Sequence, residues 1–382
     1  MTDAAILDRR ALMAMDATLL LSGLLLIAIG LIAISSASIE YGDWHFQNAW
    51  HHTQRHLIYI VIALTAAAVV YHVPTTFWLD TGWVWLFVAL ALLILVLVPG
   101  IGKDVNGSQR WLPLGPFTLQ PSEFAKLALV IYLAGYLVRQ EHEVRNEWQG
   151  FIKPMAVLGS VALLLMVEPD FGATVIAVGT AFGMLFLAGV KLRHFLLVLG
   201  ISLLGMLGLI FSAPYRVARL TAYTDPWADP FGSGFQLIQS LIAFGRGQWF
   251  GVGLGNSVQK LFYLPEAHTD FVFSIWAEET GFIGALLVMG LYAALVGRVL
   301  WVARRATVLG ENFGAYVCYG AAFIFSGQAF VNMGVSSGLL PTKGLTLPFI
   351  SYGGTSLIMC CCMLALVMRI ERELREIKGG AR

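Results

Sequence analysis

The chain has 382 residues, of which 58% are hydrophobic and 12% are charged. Soluble globular proteins carry about 25% charged residues, so the composition excludes an ordinary soluble enzyme. The formal net charge of +1 argues against a nucleic-acid-binding protein, which would show a basic stripe. Long apolar blocks along the chain instead predict an all-α, polytopic integral membrane protein.

Windows of about 20 apolar residues predict about ten transmembrane helices. The first block is read as a retained span because it is longer than the core of a cleavable signal, which has about 7–15 residues. Most of the 24 Lys and Arg residues fall on the side that both termini share, so the N- and C-termini are expected to be cytoplasmic. The predicted spans are residues 16–37, 57–73, 80–99, 121–138, 153–167, 172–189, 194–213, 271–298, 312–334 and 354–370.

The whole chain, residues 1–382, is expected to form a single transmembrane domain with short cytoplasmic tails at 1–15 and 371–382. The largest extracytoplasmic loop, residues 214–270, lies between spans seven and eight. It is rich in Trp, Phe and Gly, so we expect it to fold against the membrane surface. Its glycine-rich stretch 251–257 lacks the Lys-Ser/Thr pair of a phosphate-binding loop and predicts tight packing.

Histidines are concentrated just before the second span. Their spacing permits a metal site, but no carboxylate or cysteine is paired with them. A polar collar at the membrane interface, together with Trp44 and Trp50, is the favoured interpretation. The histidines are His45, His51, His52 and His56.

Two ionisable residues fall within the fourth span. Glu123 and Lys126 are three residues apart, so they share one face of a helix. An ionisable residue inside a span predicts a functional site. A structural ion pair is the alternative, and the two interpretations are compatible.

A short outer turn at residues 168–170 carries Glu168 and Asp170. The two acids could bind a cation, or Asp170 could cap the following helix. The cap is the favoured interpretation.

Several cations lie in the outer loops, where positive charge is normally sparse. Arginine binds phosphate through paired hydrogen bonds, so these residues predict contact with an anionic headgroup. They are Arg110, Arg216, Arg219, Arg246, Lys260 and Lys343.

Asp270 stands at the entry to the eighth span, where it suits either a general base at the lip of a cavity or a helix cap. Glu278 and Glu279 follow about two turns deeper, and one of them is expected to pair with a basic group or to meet the substrate headgroup. Residues 338–357 interrupt the helical pattern with Gly and Pro and predict a re-entrant or cavity-lining segment.

Three long motifs resemble those of the SEDS family, the shape, elongation, division and sporulation proteins. The resemblance covers essentially the whole chain, and around Lys343 it is closer to the division branch than to the elongation branch. The motifs are NGSQRWLPLGPFTLQPSEFAKL from residue 106, AHTDFVFSIWAEETGFIG from residue 267 and GLLPTKGLTLPFISYGGTS from residue 338.

The resemblance implies a peptidoglycan glycosyltransferase that joins lipid II units into glycan strands during septal cell-wall synthesis. It implies a place in the bacterial inner membrane, with the active site on the extracytoplasmic face. It also implies a class B penicillin-binding protein, the septal transpeptidase, and other division proteins as partners. The family's outer-loop aspartate matches Asp270, and its polar pair on the fourth span matches Glu123 and Lys126.

The implied reaction is an inverting glycosyl transfer with Asp270 as the general base. Positive charge at the leaving diphosphate is expected from loop Arg and Lys or from a divalent cation, Mg²⁺ or Mn²⁺. No residue is assigned to a metal site. Substrate binding is assigned to Glu123, Lys126, Arg110, Arg216, Arg219, Arg246, Lys343 and Glu278.

Two other function classes remain open. A charged residue in a span and a broken helix also suit a lipid II flippase, which would need Lys126 more than Asp270. A scaffold that recruits the crosslinking enzyme is the third, and it would tolerate loss of Asp270. Polymerisation in detergent, with no membrane to cross, separates the first two classes.

Overall fold

The computed structural model describes residues 16–105, 108–115, 117–211, 223–232, 234–341 and 344–380. Within these residues helices dominate, and one turn of 3₁₀ helix covers Pro226–Ala228. The helices are α1 (Ala17–Phe46), α2 (His51–His72), α3 (Thr75–Val96), α4 (Pro121–Arg139), α5 (Glu141–Asn146), α6 (Trp148–Val167), α7 (Phe171–Leu187), α8 (Leu192–Phe211), α9 (Phe235–Gly247), α10 (Val272–Val308), α11 (Asn312–Ser336) and α12 (Gly354–Gly380).

Each predicted span coincides with one of these helices, namely α1–α4, α6–α8 and α10–α12. Among the described residues, 8 helices are long and apolar enough to cross a membrane, and α7 and the apolar part of α8 are shorter. The all-α membrane fold is therefore confirmed. The count of ten spans and the orientation of the termini stay predictions.

Three helices continue well beyond their predicted ends. α1 reaches Phe46, α10 reaches Val308 and α12 reaches Gly380, so part of the predicted tail 371–382 is helical. Along α12 the extension carries ion pairs one turn apart, Arg369 with Glu373 at 2.7 Å and Arg372 with Glu376 at 2.9 Å. Such pairs stabilise a helix in water, where an apolar window gives no signal.

Local sequence explains where several helices begin. The Asp16 carboxylate accepts hydrogen bonds from the amides of Thr18 at 3.0 Å and Leu19 at 3.1 Å, which caps α1. Pro121 occupies the first turn of α4, where its missing N–H is not needed. Asp170 caps α7 by accepting from the Ala173 amide at 3.1 Å, so the favoured interpretation of Asp170 is confirmed.

The core lies around α4 and α12. Their apolar windows are each 83% buried, whereas that of α2 is 22% buried. α12 packs against α2, α10 against α11 and α3 against α4. The two central helices are therefore enclosed by protein, while α2 and α3 present apolar faces to the surroundings.

A small antiparallel sheet, which sequence reasoning missed, occupies the outer loop before α4. Its strands are β1 (Lys103–Val105), β2 (Ser108–Leu114) and β3 (Phe117–Leu119), in the order β1-β2-β3. Lys103 pairs with Trp111, and Leu112 with Leu119. The sequence does hold a signal, since Asn-Gly at residues 106–107 is typical of a two-residue hairpin turn.

The large loop before α10 contains α9 in its described part. α9 is amphipathic and buries Leu237, Ile238 and Ala243. It packs mainly against α10 and also touches α11. Protein therefore covers this part of the loop, and its predicted contact with the membrane surface stays a prediction.

Candidate active site

A polar cavity of about 450 Å³ opens where the N-terminal ends of α2, α4, α7, α10 and α12 meet the small sheet. Its lining includes Asp270, Glu123 and Arg110, three residues singled out in the sequence. Helix N-termini carry unpaired amides and partial positive charge. Five such ends around one cavity favour an anionic ligand.

Asp270 lies half-buried at this cavity, directly before α10. The N-cap of α10 is Phe271, and no side-chain hydrogen bond caps the helix, so the cap interpretation of Asp270 is not supported. The Asp270 carbonyl accepts from Asn332 Nδ2 at 2.8 Å. This bond fixes the backbone that carries the carboxylate.

The loop segment that faces Asp270 is the non-helical stretch 344–353. Asn332 Nδ2 also donates to the Leu345 carbonyl at 2.6 Å, and Ser351 Oγ accepts from the Leu347 amide at 2.8 Å. Gly344 is so close to Asp270 that a Cβ there would lie 2.8 Å from Oδ2. The prediction of a cavity-lining segment is confirmed, with its backbone groups bonded to protein as membrane depth requires.

Glu123 and Lys126 form the predicted pair. Lys126 Nζ lies 2.8 Å from Glu123 Oε1, and both side chains are buried. Glu123 lines the cavity, and Lys126 lies one turn further along α4. In this buried pair the charge of Glu123 balances that of Lys126, and Glu123 still lines the cavity.

Arg110 connects the sheet to the turn between α6 and α7. Its Nε donates to the Glu168 carbonyl at 3.0 Å, and its Nη2 donates to the Pro169 carbonyl. Arg110 therefore positions the turn that carries Asp170 while it lines the cavity.

The turn held by Arg110 brings two more carboxyl groups to the site. Asp170 lines the cavity. Glu168 lies behind it, is fully buried, and has no hydrogen-bond partner for either carboxyl oxygen among the described groups. Burial, with Asp170 as a further cause, raises the pKa of Glu168 to about 8. Glu168 is therefore a neutral acid at pH 7.

Sequence reasoning missed two cations of this site. Arg55, in the first turns of α2, and Lys103, on β1, both line the cavity. Arg55 falls just before the predicted second span, and Lys103 belongs to the loop in which the sheet was missed. The one sequence signal for these two residues was their positive charge on the predicted outer side of the membrane, where such charge is normally sparse.

Arg246 and Glu278 lie elsewhere. Arg246 Nε is 3.4 Å from Glu278 Oε1, and Glu278 also accepts hydrogen bonds from Ser257 Oγ and from the amides of Val258 and Gln259. Glu278 is fully buried, and neither residue is among those lining the cavity. Their described contacts are with protein groups, and their contact with substrate stays a prediction.

Glu279 meets a basic group, as expected of one of the two glutamates. Lys260 Nζ lies 3.2 Å from Glu279 Oε1 and 3.0 Å from Ser36 Oγ of α1. Ser36 Oγ also donates to Glu279. Lys260, Glu278, Glu279 and their partners, called the loop clamp below, fasten residues 251–260 to α10.

α10 is interrupted at Gly281, where φ is 71°. The outer loop fills the break, since the Phe282 amide donates to the Gln248 carbonyl at 2.8 Å and the Val252 amide donates to the Glu278 carbonyl at 3.0 Å. A Cβ on Gly281 would lie 2.4 Å from the Gly251 amide. The glycine-rich stretch therefore serves tight packing, as predicted.

Arg216, Arg219 and Lys343 lie outside the described residues, so their predicted substrate contacts stay predictions. Among the described residues, no group of three or more His, Cys, Asp or Glu side chains could hold a metal ion. The expected Mg²⁺ or Mn²⁺ at the diphosphate is likewise a prediction.

Known proteins resemble this chain over nearly its full length. A relative from Pseudomonas fluorescens is 52% identical over 366 residues, covering 96% of this chain and 90% of the relative. A relative from Hahella chejuensis is 53% identical over 361 residues, covering 94% and 91%. Both are named probable peptidoglycan glycosyltransferase FtsW. The relatives thus agree with the predicted division branch.

Solved structures share the fold. A peptidoglycan synthase complex, described as coordinating polymerization and crosslinking, matches with a TM-score of 0.75 and 30% identity over 94% of this chain and 98% of that chain. The rod shape determining protein RodA of Thermus thermophilus matches with a TM-score of 0.69 and 28% identity, covering 94% and 97%.

The family model for cell cycle proteins of the FtsW, RodA and SpoVE type matches residues 16–376. This match extends from the cap of α1 into the last turns of α12 and includes every element around the cavity. The chain therefore belongs to the FtsW/RodA/SpoVE family of cell cycle proteins.

Proposed function

We propose that this chain is a peptidoglycan glycosyltransferase that joins lipid II units into glycan strands during septal cell-wall synthesis. The observation that carries the proposal is the cavity, which is lined by Asp270, by Glu123 and by the cations Arg55, Lys103 and Arg110. The FtsW name shared by the relatives supports the same activity.

The reaction is an inverting displacement at a sugar carbon. The 4-hydroxyl oxygen of the acceptor GlcNAc attacks the anomeric carbon of the terminal MurNAc on the growing strand. A new C–O bond forms, the bond from that carbon to the diphosphate oxygen breaks, and undecaprenyl diphosphate leaves with the bonding electrons. The hydroxyl proton passes to Asp270. One carboxylate is sufficient, because no covalent enzyme intermediate is needed.

The position of Asp270 suits this role. It is half-buried at the cavity, and Asn332 fixes its backbone while leaving the side chain beside Gly344. A positioned general base contributes about 10²–10⁴-fold to a rate. The absence of a side chain at Gly344 leaves room for a substrate hydroxyl beside the carboxylate.

Positive charge around the same cavity suits the leaving diphosphate. Arg55, Lys103 and Arg110 line the cavity, and residues at or near five helix N-termini border it. Fixed donors and charges that face developing negative charge lower the barrier to departure. Mg²⁺ or Mn²⁺ is a second proposed source of this charge, and Arg216, Arg219 and Lys343 are proposed contributors.

Glu123 and Lys126 are proposed to bind the substrate headgroup as a unit. Lys126 Nζ donates to Glu123 at the cavity wall, where the remaining lone pairs of the carboxyl oxygens can accept hydrogen bonds from sugar hydroxyls. Arg246 and Glu278, which pair with each other, stay proposed contacts of the substrate headgroup.

The proposed partners are a class B penicillin-binding protein, the septal transpeptidase, and other membrane proteins of the division machinery. The resemblance to a peptidoglycan synthase complex supports a partner of this kind. The proposed location is the bacterial inner membrane at the septum, with the cavity on the extracytoplasmic face.

The second candidate is a lipid II flippase, which the ion pair buried within α4 favours. A purified chain in detergent, incubated with lipid II, with and without the transpeptidase and with and without EDTA, separates the two. We expect glycan polymer in detergent, with more polymer when the partner is present. Absence of polymer under all conditions, together with lipid II translocation by the chain in vesicles, would establish the flippase instead.

A further inference from the structure

A cluster of aromatic and imidazole rings borders the cavity beside Asp270. His52 of α2 lies 4.9 Å from His268 and 5.2 Å from Tyr352, measured between ring centroids. His268 and Tyr352 are 5.8 Å apart. All three side chains line the cavity, and we call them the ring wall.

His52 has an unused hydrogen-bonding atom. Its side chain is 7% exposed, and Nδ1 has no hydrogen-bond partner among the described groups. Buried polar atoms are nearly always bonded, and an orphan one costs free energy. Nδ1 is covered in this conformation, so a turn of the imidazole about its Cβ–Cγ bond is needed before a molecule in the cavity can supply the missing partner.

The side chains of the ring wall suit a ligand that has an uncharged, polar ring. Burial lowers the pKa of His268 to about 4, so this imidazole is uncharged at pH 7. A neutral imidazole donates with one nitrogen and accepts with the other. Flat ring faces combined with a few such polar groups are typical of small-molecule sites. A sugar, with its C–H faces and hydroxyls, fits this wall better than a phosphate does.

The wall and the proposed base belong to one connected unit. His268 stands two residues before Asp270, and its carbonyl accepts from the Tyr352 amide at 3.0 Å. Tyr352 follows the segment 344–351, which Asn332 bonds to the Asp270 backbone. A sugar that rests on the wall therefore lies next to the carboxylate.

We infer that His52, His268 and Tyr352 hold the acceptor sugar of lipid II, with its hydroxyl directed at Asp270. The inference rests on the proposed glycosyl transfer and assigns the ring wall as a positioning surface for it. A histidine metal site is the competing interpretation, and no suitable group of ligands exists among the described residues. A purely structural collar, as the sequence suggested, is the other.

The test is the acceptor dependence of polymerisation by the purified chain with its transpeptidase. A labelled lipid II whose 4-hydroxyl carries an extra sugar serves as saturating donor, because only unlabelled lipid II can then accept. For His52→Phe, which keeps a ring and removes both nitrogens, we expect the apparent KM for acceptor to rise roughly three- to tenfold, with kcat changed less than twofold. His52→Asn, whose amide takes the place of Nδ1, is expected to restore most of the loss.

His45→Phe is the matched control. His45 belongs to the same ring cluster, stacked on Tyr41 at 4.1 Å, but is exposed and does not line the cavity. We expect wild-type kinetics from it. If His52→Phe does not fold, as judged by its Tm, Tyr352→Leu replaces it with the same expected rise in KM.

The outcomes separate the two proposals. Wild-type polymerisation with an unchanged acceptor KM in His52→Phe or its replacement would overturn the ring wall and leave the proposed function intact. An equal change in His45→Phe would assign the cluster a structural role and also overturn it. No polymerisation by the wild-type chain would remove the proposed function itself.

Discussion

Asp270 and the Glu278–Glu279 pair stand about two helical turns apart and have opposite surroundings. Asp270 borders an open polar cavity, beside a glycine and a ring wall. Glu278 and Glu279 are sealed in the loop clamp, where hydroxyls, amides, Lys260 and Arg246 meet their oxygens. One short stretch of sequence thus carries carboxylates in two different surroundings.

The difference supports the proposal that Asp270 takes part in the reaction and that the loop clamp stabilises the structure. A carboxylate whose lone pairs are filled by protein donors has little capacity left for substrate. The loop clamp instead fixes the segment that leads into Asp270, and the break at Gly281 receives the same loop. We therefore predict that substitutions in the loop clamp mainly lower the Tm, and that substitutions at the cavity mainly lower the polymerisation rate.

Lys260→Met is expected to give the largest loss of stability. It leaves Glu279 buried without its cation, and breaking a buried ion pair costs roughly 3–5 kcal/mol. Thermal unfolding in detergent measures the effect as a lower Tm. Lys153→Met is the control, because Lys153 pairs with Glu143 at 2.7 Å on an exposed surface, where a pair contributes about 0–1 kcal/mol. Equal Tm values for the two variants would contradict the clamp.

Gly281→Ala is expected to have the next largest effect. The positive φ of 71° and the Gly251 amide 2.4 Å from a new Cβ both oppose a side chain, and the strained backbone alone costs roughly 1–3 kcal/mol. Gly297→Ala, in the same helix with nothing within 4 Å of the new Cβ, is expected to be neutral or slightly stabilising. Similar Tm changes in the two variants would show that the break in α10 is not required.

Glu168 predicts an effect on stability that depends on pH. Its pKa is about 8 in the folded chain and about 4.5 in the unfolded chain. Between these values the folded state binds more protons, so stability contributed by this group falls as pH rises from about 4.5 to 8, by at most about 1.4 kcal/mol per pH unit. Glu168→Gln is expected to remove this dependence of stability on pH. The Tm of the variant, relative to that of the wild-type chain, should therefore rise from pH 5 to pH 8.

The control for this prediction is Glu141→Gln, which removes a carboxyl at the start of α5 whose side chain is 42% exposed. Its Tm difference from the wild-type chain is expected to be the same at pH 5 and pH 8. A Glu168→Gln variant that behaves in the same way would show that Glu168 is ionised in the folded chain.

Hydropathy predicted every long helix, because membrane spans require continuous apolar sequence. It misplaced the ends of α1, α10 and α12, where the helix continues through stretches that contain polar residues. It also missed β1–β3, since short strands leave a weak pattern and the Asn-Gly signal at 106–107 went unused.

The site was predictable in its parts and not in its assembly. Glu123 with Lys126 follows from spacing along one helix. The position of Asp270 at the head of a span suited a general base or a helix cap equally, and the family resemblance favoured the base. Arg55, Asp170 and the ring wall reach the cavity through contacts between distant segments, which periodicity does not encode. The same holds for Lys260 and Glu279, whose separation in sequence gives no sign that they meet.

We propose that Asp270 is the general base of the reaction, whereas the loop clamp stabilises the fold around it. The most direct measurement is the lipid II polymerisation rate and the Tm of Asp270→Asn, taken beside Glu279→Gln and beside Asp225→Asn, an exposed loop control. We expect Asp270→Asn to lose at least about 100-fold in rate with an unchanged Tm. Glu279→Gln is expected to lose Tm and to keep its rate per folded molecule. A normal rate from folded Asp270→Asn would contradict the account.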